Sequence, residues 1–286
     1  MKPSILIILA CLLAACHPSA PVTNGRSLFA YGNKRLLQYD AYIASLDTAK
    51  ATSLPLAAQK FRVLFKGQPA PVCDTAYYIF EHLAGCIQNS LNTQMSNDKS
   101  TSYEVLALHE VNGHKPVIHA GLKDYVTQLK ENGFAIAAEE DVPRVVFCRD
   151  FAPAYVYSYV SATMKQYLEQ LNRENREGLD IDAELVVSPQ QLAERAIWWE
   201  RFCGERTLQS FIFSAGALHK KQEYRNLLLR GSDDTPLLEG ETLAGYYRDA
   251  YRYISLHYPH TQTDSMLVLY TAALQRKDSA ALKALN

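Results

Sequence analysis

Proline and glycine punctuate this chain at helical intervals, and that punctuation restricts what it can fold into. Pro55 stands in the first turn of PLAAQKFRVLFK and Gly67 just past its end, the asymmetry expected of a helix that starts without needing an N–H and stops on a left-handed residue. The segment Asp74–Leu91 reads as a further helix. Thr101-Ser102-Tyr103-Glu104 has the form of a capping box in front of VLALHEV, and Asn112-Gly113 supplies a stop. Pro116 opens PVIHAGLKDYVTQLKE, which Asn132-Gly133 ends in the same way. Two helices joined by a tight polar turn make an αα-hairpin.

The second half repeats this style. From Pro153 the apolar positions Val156, Val160, Met164, Tyr167, Leu168 and Leu171 recur at helical spacing, and the charged run Asn172–Gly178 is expected to end that helix. Ser188-Pro189-Gln190-Gln191 is a second capping box, opening QLAERAIWWERF. Residues 231–241 read as a loop, followed by two or three helices. Short strands are expected only at Phe134–Ala138 and Arg144–Cys148, as a small β-hairpin. The predicted fold is therefore mainly α, with stacked antiparallel helical hairpins, tetratricopeptide-like or irregular α/α, and one short β-hairpin near 134–148.

The N-terminus carries an address. Lys2 precedes an apolar stretch from Ile5 to Ala15, which is too short to span a bilayer as a helix of about 20 residues. It ends Leu13-Ala14-Ala15-Cys16, which resembles the lipobox of bacterial lipoproteins. That resemblance implies cleavage before Cys16 and lipidation of its thiol. Residues 1–15 are then a signal peptide and 16–35 a tether rich in Pro, Ser, Asn and Gly. Residues 36–286 form the helical domain, with a possible subdivision near 178–188. The residue after Cys16 is His17, not the Asp that in enterobacterial lipoproteins marks inner-membrane retention. The expected location is the cell envelope, facing the periplasm, with the outer membrane favoured. The expected partners are the membrane itself, through the lipid, and envelope proteins.

Charge argues against a nucleic-acid partner. Removing residues 1–15 takes Lys2 from the 29 basic side chains and none of the 30 acidic ones, leaving a balance of −2, without the basic excess such a partner calls for. Of the six cysteines, Cys11 leaves with the signal peptide and Cys16 takes lipid. Cys73, Cys86, Cys148 and Cys203 remain, enough for two disulfides in an oxidising compartment. Cys73 and Cys86 would sit on one helix, thirteen residues or roughly 20 Å apart, against the ~4.4–6.8 Å between Cα atoms that a disulfide requires. A bridge from either is therefore expected to reach Cys148 or Cys203; the alternative is four free thiols.

Ala250, Tyr251, Tyr258-Pro259 and Tyr270, with helical runs on either side, resemble the helix–Tyr-Pro–helix units of tetratricopeptide-type repeats in envelope lipoproteins. No strict second copy occurs at a fixed period, so the resemblance implies stacked hairpins.

His109-Glu110-Val111-Asn112-Gly113-His114 resembles the H-E-x-x-x-H zinc motif of the tyrosine carboxypeptidases that act on tubulin tails. The resemblance implies that His109 and His114 ligate zinc and that Glu110 activates its water. In that family an E-E-G-L-A stretch supplies the third ligand; here Glu131-Asn132-Gly133-Phe134-Ala135 places Asn132 at that position, and Glu139 or Glu140 would have to substitute. Asn112-Gly113 breaks the helix face that the two imidazoles must share, so a structural role for the histidines is the preferred reading. The acidic runs Asp180–Glu184 and Asp233-Asp234 lack EF-hand spacing, and no G-x-S-x-G or phosphate-binding loop occurs. The expected role is binding rather than catalysis, without cofactor. Trp198, Trp199, Tyr155 and Tyr159 are the aromatic candidates for contacting a ligand, with core packing the preferred reading for the Trp pair. A zinc peptidase is the rival reading.

Overall fold

The computed structural model describes residues 32–107, 117–139, 142–181, 184–205, 208 and 210–285. The fold is mainly α, with helices α1 (Lys34–Ala44), α2 (Ser53–Phe65), α3 (Ala70–Asn97), α4 (Ala120–Glu131), α5 (Ala152–Tyr155), α6 (Ala162–Glu177), α7 (Pro189–Gly204), α8 (Ser214–Arg230), α9 (Gly245–His257), α10 (Gln262–Gln275) and α11 (Ser279–Leu285). The expected hairpin is present: β1 (Phe134–Glu139) and β2 (Val142–Phe147) pair antiparallel, with Phe134 opposite Phe147 and Ile136 opposite Val145. Two shorter pairs, β3 (Asp180–Ile181) with β4 (Glu184–Leu185) and β5 (Leu238–Glu239) with β6 (Thr242–Leu243), tighten turns that read as plain loops in the sequence.

Local chemistry explains most boundaries. Ser188 caps α7 as anticipated: its hydroxyl accepts from Gln191 N (3.2 Å) while the Gln191 amide oxygen accepts from Ser188 N (2.9 Å). The turn after α4 closes at Gly133, whose φ of +84° disfavours any side chain and where a Cβ would meet Leu54 Cδ2 at 3.1 Å. The Tyr258-Pro259 connection joins α9 to α10, and Glu200 on α7 caps α10 from outside, accepting from the backbone N–H groups of Gln262 (2.9 Å) and Thr263 (2.7 Å).

Several expected boundaries differ. The capping box at 101–104 does not start an α-helix: Tyr103–Leu106 is a single 3-10 turn without a side-chain cap. Asp98 competes for the local donors, accepting from Ser100 N and Oγ and from the Tyr103 hydroxyl, and these bonds hold its carboxyl well below the usual range. Helix α4 starts at Ala120 after an extended His119, not at Pro116, which lies outside the described residues. The long helix expected from Pro153 is broken after Tyr155, because Ser161 recaps the chain: its Oγ accepts from Met164 N (3.1 Å) and its own N–H donates to Asp74 (2.8 Å). Helix α6 ends at Glu177 with Gly178 as its cap, at the close of the charged run as expected. The expected helix 74–91 extends to Ala70–Asn97.

One core runs the length of the chain. Tyr39 meets Phe61 and Phe65 edge to face where α1 crosses α2, and the two Phe rings pack tilted against each other. Tyr77 and Phe80 continue the core along α3. Tyr167 then gathers Trp199, Phe202, Phe211 and Phe213 around its ring.

The outer edge of β2 is held by side chains of α3. Asn92 donates from Nδ2 to Val145 O (2.8 Å) and accepts at Oδ1 from Val145 N (2.8 Å), and Gln88 Oε1 accepts from Phe147 N (2.7 Å). The Asn92 amide thus stands in for a strand residue. Asn92→Ala leaves a backbone donor and acceptor without partners. We expect a loss of about 1–3 kcal/mol, read from urea unfolding; an unchanged midpoint would show that water replaces the amide at no cost.

Candidate binding cleft

A cleft of about 620 Å³ opens where α3, β2 and α6 converge, with Ala135, Ala137, Val146 and Phe147 as its apolar wall and Glu81, Arg149, Asp150, Asn172 and Arg176 as its polar groups. Three segments place these polar groups. Glu81 projects from the middle of α3. Arg149 opens the turn that follows β2, with only Cys148 between them, so the strand fixes its approach. Asn172 comes from the third turn of α6.

Arg149 donates to a single oxygen of Glu81 from both Nη2 (2.6 Å) and Nε (3.1 Å), with its guanidinium 5.6 Å from the Phe147 ring centre. Burial opposes the charge of Arg149, but Glu81 together with Tyr77 and Tyr167 more than offsets it, and the guanidinium is held above its ordinary range. Asn172 is buried and donates to Arg149 O (3.1 Å) and to the Tyr157 hydroxyl (2.9 Å). Arg176 pairs with Asp150 at the rim (2.5 Å), with both side chains about half exposed. Glu81 Oε2 and Asn172 Oδ1 are buried without a hydrogen-bond partner, as is the Tyr77 hydroxyl behind them. Burial and then the Glu81 charge push the Tyr77 phenol well above its usual range. The cleft thus offers two guanidinium groups, two carboxylates and an amide against an apolar wall. That set can orient a small polar ligand or a peptide side chain.

Trp198 lines a second groove, of about 420 Å³, with Arg173, Glu194, Arg201, Phe202 and Tyr258. It stacks on Phe202 (5.0 Å between centroids), while the Arg201 guanidinium lies 5.1 Å from the Tyr258 ring centre.

The other aromatic candidates are placed elsewhere. Trp199 is fully buried, its ring against Tyr167 and Phe202 and its indole N–H donating to Glu174 (2.6 Å), so it packs the core and presents no surface to a ligand. Tyr155 stacks on Phe151 (4.5 Å) beneath Arg62, and Tyr159 meets Phe61 edge-on (5.9 Å). These two belong to the packing around α2 and α5 and do not join Trp198. Cys16, His109, Glu110, His114 and Glu140 lie outside the described residues. Among the described residues no group of three or more His, Cys, Asp or Glu is placed to hold a metal ion. Cys73 and Cys86 share helix α3, and none of Cys73, Cys86, Cys148 and Cys203 is disulfide-bonded. Cys148 and Arg149 bracket the cleft, yet the sequence marks neither: a strand end carries no signal that its next residue turns inward.

No family model, curated protein or solved structure matches this chain. No described helix is long and apolar enough to cross a membrane.

Proposed function

We propose that this is a lipid-anchored envelope protein of the bacterial lipoprotein type, and that it works by binding. The single observation that carries the reading is the order of the first sixteen residues: Lys2, an apolar run, then Leu13-Ala14-Ala15-Cys16. The cleft around Arg149 and Glu81 supports a binding role, because its charged groups are engaged with one another against an apolar wall. Its ligand offers hydrogen-bond donors and acceptors together, on a scale of one or two side chains. Anchoring would keep the domain at the membrane, where it can contact other envelope proteins through the cleft or the Trp198 groove.

Expression of Cys16→Ser tests the anchor. Wild type should fractionate with membranes and carry the mass of a lipidated N-terminal cysteine; Cys16→Ser should lose that mass and be soluble or uncleaved. An unchanged mass and membrane fraction would refute it. Zinc analysis of the same wild-type preparation decides the rival reading. One zinc per chain, abolished by His109→Ala, would replace the binding role with a peptidase.

A further inference from the structure

The first two helices carry a charge bias opposite to the rest of the chain. From Lys34 to Lys66 there are six basic side chains (Lys34, Arg35, Lys50, Lys60, Arg62, Lys66) and two acidic ones (Asp40, Asp47), in a chain whose formal charge is −1. Helices α1 and α2 pack antiparallel: Arg35 Nη1 donates to Leu64 O (2.7 Å), and the Tyr39 hydroxyl donates to Ala57 O (3.1 Å). Their inner faces are wholly committed to the core through Leu36, Tyr39, Ala57, Phe61 and Phe65.

Their outer faces mix cations with exposed aliphatic side chains. On α2, Leu56, Lys60 and Val63 recur at helical spacing and form one stripe, and Lys66 follows as the exposed C-cap. Val63 is 73% exposed and Leu56 45%; on α1, Leu37 is 50% exposed. Exposed aliphatic side chains are ordinary on a protein surface, and Leu256, Val268 and Leu269 are exposed elsewhere to a similar extent; what marks those of α1 and α2 is the basic excess beside them. Together they are the composition that lies well in the headgroup layer of an anionic bilayer, with apolar groups at the acyl boundary and cations among the phosphates.

Chain length places this face near such a surface. Only residues 17–31 separate Cys16 from the first described residue, and fifteen residues span at most about 50 Å fully extended. We propose that the outer face of α1 and α2 docks on the anionic membrane to which Cys16 is anchored, fixing the orientation of the domain and turning the later helices away from the bilayer. The proposal rests on the lipid-anchor reading for proximity and on the charge and exposure of α1 and α2 for the docking itself.

The test is amide hydrogen exchange of the full lipidated protein on vesicles rich in phosphatidylglycerol and on vesicles of phosphatidylcholine alone. Exchange across residues 34–66 is expected to slow several-fold on the anionic vesicles only, and to recover when salt is raised to about 0.5 M, where the Debye length falls to a few ångströms. Each charge removed should weaken docking roughly fivefold, so Lys60→Glu with Lys66→Glu should abolish the protection while the vesicles still carry the protein. Equal exchange on both lipids, in protein whose mass and flotation confirm the anchor, overturns docking and leaves the anchor standing. Lipid-dependent protection in protein that proves unlipidated upholds docking and overturns the anchor. Protection that instead grows with protein density on neutral vesicles assigns the face to a second copy and overturns the proposal.

Discussion

Glu174→Ala is expected to destabilise the fold by about 3–5 kcal/mol, a large part of the roughly 5–15 kcal/mol by which a domain is stable. Glu174 is buried at the junction of α6, α7 and α8. It accepts from Gln170 Nε2 (2.7 Å), from the Trp199 indole (2.6 Å) and from the Tyr224 hydroxyl (2.9 Å). Arg195, 1% exposed, closes the network: it donates to Gly178 O (2.7 Å) and Glu177 (2.8 Å), and lies 3.5 Å from the Tyr224 hydroxyl. Removing the carboxylate strands three buried donors and leaves Arg195 with less compensating charge. At roughly 2–4 °C per kcal/mol for a chain of this size, the melting temperature should fall by about 10 °C. Glu174→Gln keeps an acceptor for Trp199 and Gln170, and its amide can donate to Tyr224, so its loss should be less than half as large. Equal losses in the two variants would mean that charge, not hydrogen bonding, holds the junction; a change below 1 kcal/mol in both would sink the argument.

Stability should also fall steeply in alkali. Tyr39, Tyr77, Tyr167, Tyr224 and Tyr251 are almost fully buried, and burial, the largest cause in each, raises their phenols above the ordinary value near 10. For Tyr224 the Glu174 charge adds to the effect. Cys73 is likewise pushed up to about 11, by burial and then by Asp74. The sign follows from proton counting. Above the unfolded values the unfolded chain releases these protons while the native chain keeps them, so stability declines with rising pH. The decline begins near pH 9 through Cys73 and steepens above pH 10. Each fully titrating group contributes up to about 1.4 kcal/mol per pH unit, so five tyrosines together approach 7 kcal/mol per unit. The fold should be lost between about pH 11 and 12, with the tyrosinate absorbance of these five rings appearing together with unfolding. A urea midpoint that stays flat to pH 11 would contradict this.

The helices were legible in the sequence where a residue's local chemistry decides the matter. Ser188 with Gln191, Gly67, Asn132-Gly133 and the Tyr258-Pro259 break act through their own neighbours, and each falls at a boundary of the kind its chemistry implies. The hairpin at 134–147 was legible for the same reason. The misjudged places are those where a distant residue intervenes. Ser161 interrupts the helix from Pro153 because Asp74, far away on α3, holds its N–H. The run Asn172–Gly178 looks like a solvated terminus, yet Asn172 and Glu174 are buried because Arg149, Trp199 and Tyr224 converge on them. Polarity alone cannot tell an exposed charge from one whose partners arrive from two other helices. The same blindness hid the cleft, whose walls come from α3, β1, β2 and α6. Of the aromatic candidates, Trp198 and Trp199 differ by one position and therefore by 100° on α7, which sends one to a groove and the other to the core.

Asn92 has a consequence beyond the stability of its own hairpin. A two-stranded sheet leaves backbone groups along its rims, and a rim is where another chain can add a strand. On the anchor proposed above, copies would meet at high density in two dimensions, where an open rim would invite chain-to-chain pairing. By filling the rim of β2 with amides from its own long helix, this chain closes that rim to the strand of a second copy.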